Sequence, residues 1–394
     1  MRKFLKQLAL ASSAIMLVSA CSTTDEIPVK ELQEFNAKIK PDVVWKASVG
    51  DGVENYFSHL NPVVVGDYII AADRVGVVAA YQRSNGKRVW RKELREELNF
   101  GTGGWWSQGE PMRIAGGLTA ERGVVYLGSE NGDVVALDVA DGNVKWHSQV
   151  GIEILADPAV GSGVVVVKGS SGDVVALNLE TGAEQWRYGT ESPALTLRGT
   201  AAPIIAQGGV FIGTATGKVV VVIAENGQPA WETRLAVPSG STELQRIVDV
   251  DSKPVLFGGV LYNVAYNGSL VAVDVRNGNT IWKREYSSFQ NLTLAEGRLF
   301  LTDASDTVSA LNLDGGIELW SNTDYNGRLL TAPVQFGDYI VVGDSMGYLH
   351  FLDILNGRTV GRLDVGEEVY TAPVVEGDTL YLQARDGSLL AVRI

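Results

Sequence analysis

DVVALDVADGNVKW, residues 133–146, is a short apolar run, a turn and the beginning of a second run that ends on a tryptophan. Gly132 bounds it on one side, Asp141 and Gly142 punctuate its middle, and the composition is that of a buried strand leading through a tight turn into another. The pattern recurs. VVAAYQR (77–83), DVVALNL (173–179), KVVVVIA (218–224), SLVAVDV (269–275), TVSALNL (307–313), YLHFLDI (348–354) and SLLAVRI (388–394) share the apolar pattern of DVVALDV (133–139), giving eight copies. Self-similarity at a fixed spacing is the signature of a repeat architecture, so the period matters more than any single strand.

The register is strict. A glycine directly precedes the strand in seven copies (Gly76, Gly132, Gly172, Gly217, Gly268, Gly347 and Gly387), with Asp306 in the eighth. Ten residues on lies another glycine (Gly86, Gly142, Gly182, Gly227, Gly278, Gly316, Gly357), and four further a tryptophan (Trp90, Trp146, Trp186, Trp231, Trp282, Trp320), with Gly361 the exception. Fourteen residues upstream stands Pro62, Pro158, Pro203, Pro254, Pro333 or Pro373, replaced by Leu118 and Leu292 in two copies. The proline and tryptophan positions thus stand 28 residues apart in each unit, room for four short strands. The last unit stops at Ile394 without its tryptophan strand, while an unassigned one, Val43-Val44-Trp45-Lys46, opens the body. The expected fold is all-β: an eight-bladed propeller of four-stranded blades, closed when the strand around Trp45 completes the last blade. Closure leaves only short, protected edges. The periodic tryptophans are expected to fill the gaps between blades, because one such ring buries about 150–250 Å².

The N-terminus gives an address. Arg2, Lys3 and Lys6 precede an apolar stretch from Leu8 to Ser19, too short for a span of about 20 residues and laid out as a signal peptide. Val18-Ser19-Ala20-Cys21 resembles the lipobox of bacterial lipoproteins, in which the cysteine becomes the lipid-bearing first residue. Cys21 is the one cysteine in 394 residues, which rules out a disulfide within the chain. Ser22 follows where inner-membrane retention would use an aspartate, so the sorting rule implies the periplasmic face of the outer membrane. The expected division is therefore a signal peptide (1–20), a lipid-anchored flexible tether (21–40) and the propeller (41–394). Fully extended, residues 22–40 reach roughly 60–70 Å. Without residues 1–20 the chain carries 30 basic and 46 acidic residues, a net charge of −16 that disfavours nucleic acid as a partner.

A glycine and a tryptophan following an A-L-D strand resemble the repeat of pyrroloquinoline-quinone-dependent dehydrogenases, which makes a periplasmic dehydrogenase the rival reading. The adjacent cysteine pair that many of those enzymes carry is absent. Asp138, Asp274 and Asp353 sit at equivalent turn positions, and Asp249-Val250-Asp251 lacks calcium-loop spacing. His59, His147 and His350 form no metal-ligand pair, and neither a nucleophile–base motif nor a phosphate loop is present. No catalytic residue, metal or cofactor is expected, and protein binding is the favoured role, either dedicated or that of a generic periplasmic propeller.

The irregular parts point to where binding occurs. From tryptophan position to the next proline position the intervals are 17, 28, 12, 17, 23, 10, 13 and 12 residues, so length varies only in the outer-to-inner connections, which share one face. Three of these stand out. The 101–109 stretch presents Trp105 and Trp106 among glycines, either an exposed anchor or a plug. The second, SPALTLRG (192–199), carries Leu195, Leu197 and Arg198, for partner contact or local packing. The third, 238–254, ends in Asp249 and Asp251, at a contact or in a solvated acidic turn. SPALTLRG, GSTELQRIVDVDSKP (240–254), AYNGSLVAVDVRNG (265–278) and DGGIELW (314–320), together with the lipobox, closely resemble the BamB family of outer-membrane β-barrel assembly lipoproteins. That resemblance implies binding to the periplasmic domains of BamA, the barrel-forming subunit, through Leu195, Leu197, Arg198, Asp249 and Asp251. Unfolded outer-membrane proteins are a further implied partner.

Overall fold

The computed structural model describes residues 28–53, 55–56, 58–98, 111–197 and 201–394. Cys21, Trp105, Trp106 and Arg198 lie outside the described residues. The strands form eight four-stranded antiparallel sheets. Blades one to seven cover residues 63–93, 119–149, 159–189, 204–234, 255–284, 293–322 and 334–364, each ordered from inner to outer strand along the chain. Blade eight consists of residues 374–393 with Asp42–Ser48 as its outer strand. Asp42 pairs with Arg393 and Ser48 with Ser388, so the beginning of the body closes on its end as the orphan tryptophan required.

Side-chain volume explains the repeat. Second and third strands are covered on both faces, as in Val164–Lys168, where every residue is buried. Outer strands face solvent on one side and keep one large inward residue. Opposite Trp90, Trp146, Trp186, Trp282 and Trp320 stand Ala80, Ala136, Ala176, Ala272 and Ala310, with a β-bulge immediately beyond each pair. Blade seven exchanges the sizes: Phe351 stands opposite Gly361. The one break in the tryptophan series thus moves the ring to the third strand and leaves space over Gly361.

The glycine that precedes each tryptophan serves a different tryptophan, that of the blade before. A Cβ on Gly142 would fall 2.6 Å from Cε3 of Trp90, and the Trp90 indole N–H donates to Val139 O at 2.9 Å. The remaining rings repeat both contacts, from Trp45 on Gly86 to Trp320 on Gly357. Each ring is therefore seated on the third-to-fourth-strand turn of the next blade. Blade eight has no such turn, since its outer strand comes from the other end of the chain. There Ile39 takes the space instead: a Cβ on Gly361 would lie 2.6 Å from Ile39 Cγ1.

Asp306, standing where the other units have glycine, adopts the left-handed conformation with φ 63. Its carboxylate accepts the amides of Gly327, Leu329 and Leu330 at 3.0, 3.0 and 2.8 Å and so holds the connection that leads to blade seven. Asp138, Asp274 and Asp353 each accept the backbone amide two residues on, at 2.9 to 3.0 Å, as turn formers do.

Residues 30–39, expected as free tether, instead run along the outer strand of blade seven, with Leu32 against the cluster of blades six and seven and Ile39 against that of blades seven and eight. Leu32, Phe35 and Ile39 turn inward and the polar residues between them turn out. Their spacing of three and four within a polar stretch lacks strand alternation, which is why the sequence reads as linker; no helix forms there.

Beneath this segment, blade seven buries charge. Arg328 Nε donates to Asp344 Oδ2 at 2.6 Å, and His350 Nε2 lies 2.9 Å from the same oxygen. Tyr325 stacks on His350 at 4.1 Å, Tyr348 lies beside it, and Arg362 Nε approaches its Nδ1 at 3.3 Å. Burial opposes ionisation of Asp344, but bonds from His350, the Tyr348 amide and Arg328 outweigh it and hold its pKa below the ordinary value. Burial lowers the pKa of His350, with Arg362 and Arg328 adding to the effect against the pull of Asp344. At His350 the folded state therefore binds fewer protons than the unfolded chain just below the ordinary histidine value of 6.5. Stability present above that pH is lost as pH falls, at up to about 1.4 kcal/mol per unit for one proton. His59, also lowered by burial, adds in the same direction. Denaturant unfolding between pH 8 and 5 should show this loss, and His350→Gln should flatten the profile by one proton's share.

Candidate partner-binding face

The outer-to-inner connections all emerge on one face, together with the turns between second and third strands. On the connection from blade three to blade four, Leu195 is 45% exposed and Leu197 is half-buried. The Leu197 backbone N–H donates to Asp249 Oδ2 at 3.0 Å across two connections. Asp249 is fully buried and Asp251 nearly so, within a run from Val248 to Ser252 that is buried throughout. The solvated acidic turn weighed for this stretch is not what forms. Val248 and Val250 pack into the core between blades four and five, which carries the aspartates down with them. Asp249 thus supports the Leu195–Leu197 segment from beneath rather than presenting a carboxylate at the surface.

One residue of this cluster escaped the sequence reading. Lys168 closes the second strand of blade three and is buried, in an electrostatic group with Asp249 and Asp251. Burial lowers its pKa against the pull of both aspartates, and burial raises that of Asp249 against Lys168 and the Leu197 amide. Lys168 Nζ and Asp249 Oδ1 have no hydrogen-bond partner among the described residues. The signal was present: at the same strand end the other blades carry Ala72, Gly128, Gly213, Val264, Thr302, Gly343 and Gln383, so Lys168 is the one charged residue in the set.

The same face exposes apolar side chains that the sequence reading passed over. Val237 is 61% exposed, and Leu244, on a short 3-10 turn held by Gln245, is 71% exposed. Both lie on the connection from blade four to blade five, next to that carrying Leu195. Exposed leucines and valines over a buried polar support are groups for docking protein, and they offer no nucleophile or acid–base pair. Among the described residues no group of three or more His, Cys, Asp or Glu is arranged to hold a metal ion.

Fold and face together define an eight-bladed propeller of the quinoprotein repeat type, elaborated on a single face. A sequence model of the family described as outer membrane protein assembly factor BamB matches residues 36–100, 101–322 and 304–394. The chain is 44% identical to the outer membrane protein assembly factor BamB of Shewanella oneidensis, covering 100% of both chains. To that of Escherichia coli K12 it is 42% identical over 96% of each. The crystal structure of BamB from Moraxella catarrhalis superposes with a TM-score of 0.78 at 27% identity, covering 90% of this chain and 100% of that one. This chain belongs to the BamB family.

Proposed function

We propose that this protein is a non-catalytic scaffold lipoprotein of outer-membrane protein assembly, anchored through Cys21 to the periplasmic face of the outer membrane, that binds the periplasmic domains of BamA. The observation carrying this reading is the exposed Leu195 on a segment whose backbone is pinned by the buried Asp249. Leu195 and Leu197 enter an apolar pocket on the partner, Arg198 sets orientation through charge-assisted hydrogen bonds, and the two aspartates shape the loop from below. Holding unfolded barrel strands by edge addition is a lesser part of the role, since closed blades leave little free edge. Affinity purification from detergent-solubilised membranes should recover BamA. Recovery of a different membrane protein without BamA, or quinone-dependent dye reduction by the purified protein, would sink the reading.

The positioning role of Asp249 has its own test. Asp249→Ala removes the acceptor of the Leu197 amide, and losing a hydrogen bond to a charged group costs about 1.5–3 kcal/mol. Partner affinity should fall accordingly. Asp249→Asn keeps a carbonyl acceptor and should recover most of the binding, whereas a carboxylate in direct contact with a basic partner residue would leave both variants equally weak.

A further inference from the structure

We infer that residues 30–40 are a strap belonging to the propeller, and that they deliver the lipid anchor onto the loop-bearing face, turning that face toward the bilayer. The topology makes the strap necessary. Asp42–Ser48 begins opposite Arg393 and ends opposite Ser388, so it starts at the face away from the elaborated connections. A chain coming from those connections must therefore cross the thickness of the disk first, and residues 30–40 make that crossing.

Fixed points lie along its whole length. At the loop-bearing face the Lys30 amide donates to Asn326 O at 3.0 Å, and its Nζ to Thr323 O at 2.8 Å. Arg328, itself buried against Asp344, donates to Lys30 O at 3.4 Å. Midway, Leu32 packs against the cluster of Trp320, Tyr325 and Ile354. The Arg362 guanidinium lies 4.9 Å over the Phe35 ring and donates to Gln33 O at 3.3 Å. At the far face the amides of Lys38 and Ile39 both donate to Val360 O, at 2.8 and 3.3 Å, and Ile39 occupies the space above Gly361. Apolar burial, a cation–π contact and backbone hydrogen bonds thus hold one extended segment at three levels.

The consequence concerns reach, and it rests on the reading of Cys21 as the lipid-bearing residue. At most nine residues, 21–29, separate Cys21 from the first anchored residue, a contour of about 30 Å, against roughly 65–70 Å for the whole stretch before the first strand. The short leash starts on the face that carries Leu195 and Leu244, so that face stays near the headgroups while the opposite one points into the periplasm.

The test uses full-length lipidated protein in phosphatidylethanolamine–phosphatidylglycerol vesicles bearing an energy-transfer acceptor on the headgroups. Acylated Cys21 leaves no free thiol, so a dye is placed through Ser241→Cys on the loop-bearing face or Ser84→Cys on the opposite one. The two sites differ in depth by at least a six-residue strand, about 20 Å, and transfer from the first should be several-fold stronger. Leu32→Asp with Phe35→Asp and Ile39→Asp should abolish that difference while the propeller still melts cooperatively. Trypsin should cut slowly after Lys30 and Lys38 in the native protein and rapidly in this triple variant. Equal transfer from both labels in the native protein, or rapid native cleavage at those lysines, overturns the strap. Cys21→Ser should leave the vesicles altogether; if it stays bound, the anchor reading fails and with it the membrane orientation, whereas trypsin still judges the strap.

Discussion

Arg198→Glu is expected to weaken BamA binding roughly 30-fold or more, since truncating or reversing one partner of a buried charged contact typically costs about 2–5 kcal/mol. A Leu195→Ala, Leu197→Ala double variant should lose a comparable amount through the missing apolar anchor. Stability should hardly move in either case, because the segment lies in a connection outside the 28-residue unit and Leu195 is already 45% exposed. Thermal unfolding measured beside binding separates the outcomes: a loop that packs only on its own blade would lower both together. Normal binding by Arg198→Glu would move the contact surface elsewhere, with the 101–109 connection as the next candidate. Leu244→Asp, on the adjacent connection, would then show whether the apolar surface extends beyond Leu195.

Removal of residues 22–48 is expected to abolish cooperative unfolding or to lower its midpoint sharply, whereas removal of residues 22–29 should leave the midpoint unchanged. The longer deletion strips the outer strand from blade eight and leaves Ser388–Arg393, whose residues 388–392 are buried, as an apolar open edge. Such an edge is a template for aggregation. It also removes Trp45, whose ring seats on Gly86 and whose indole N–H donates to Arg83 O at 3.0 Å, the contact that fastens blade eight to blade one. Truncating that ring alone costs about 3 kcal/mol by analogy with other large-to-small substitutions. Removal of residues 22–40 should fall between the two, because it takes away Leu32, Phe35 and Ile39 but spares the closing strand. Equal midpoints for the 22–29 and 22–48 deletions would contradict ring closure by this strand. Both proteins should be compared by denaturant unfolding at matched concentration, since an open edge makes the longer deletion prone to self-association.

The repeat alone determined the propeller, its eight blades and its closure by the strand at Trp45. The reason is that strand, turn and ring positions recur within 28 residues, a span over which hydrophobic pattern and turn chemistry are readable. It also placed every insertion on one face, because blade connectivity dictates where an outer-to-inner link must emerge. The partner of each ring was hidden. The glycine four residues before a tryptophan reads as its companion, yet it seats the ring of the preceding blade, and only the packed ring shows this.

Around the candidate site the division is the same. Leu195 and Leu197 were legible as apolar residues where a connection should be polar. That Asp249 is buried and holds the Leu197 amide, 52 residues away, depends on how two separate connections fold over each other. Lys168 sat in the sequence as a lone charge at an apolar strand end, but its bearing on this loop comes from the two aspartates brought beside it. The strap is the extreme case: Lys30 and Arg328 meet across 298 positions of sequence. A polar segment whose three apolar residues stand three and four apart carries a helical spacing, yet no helix forms there, so what it packs against was settled only when the ring closed and left the gap between blades seven and eight without a tryptophan.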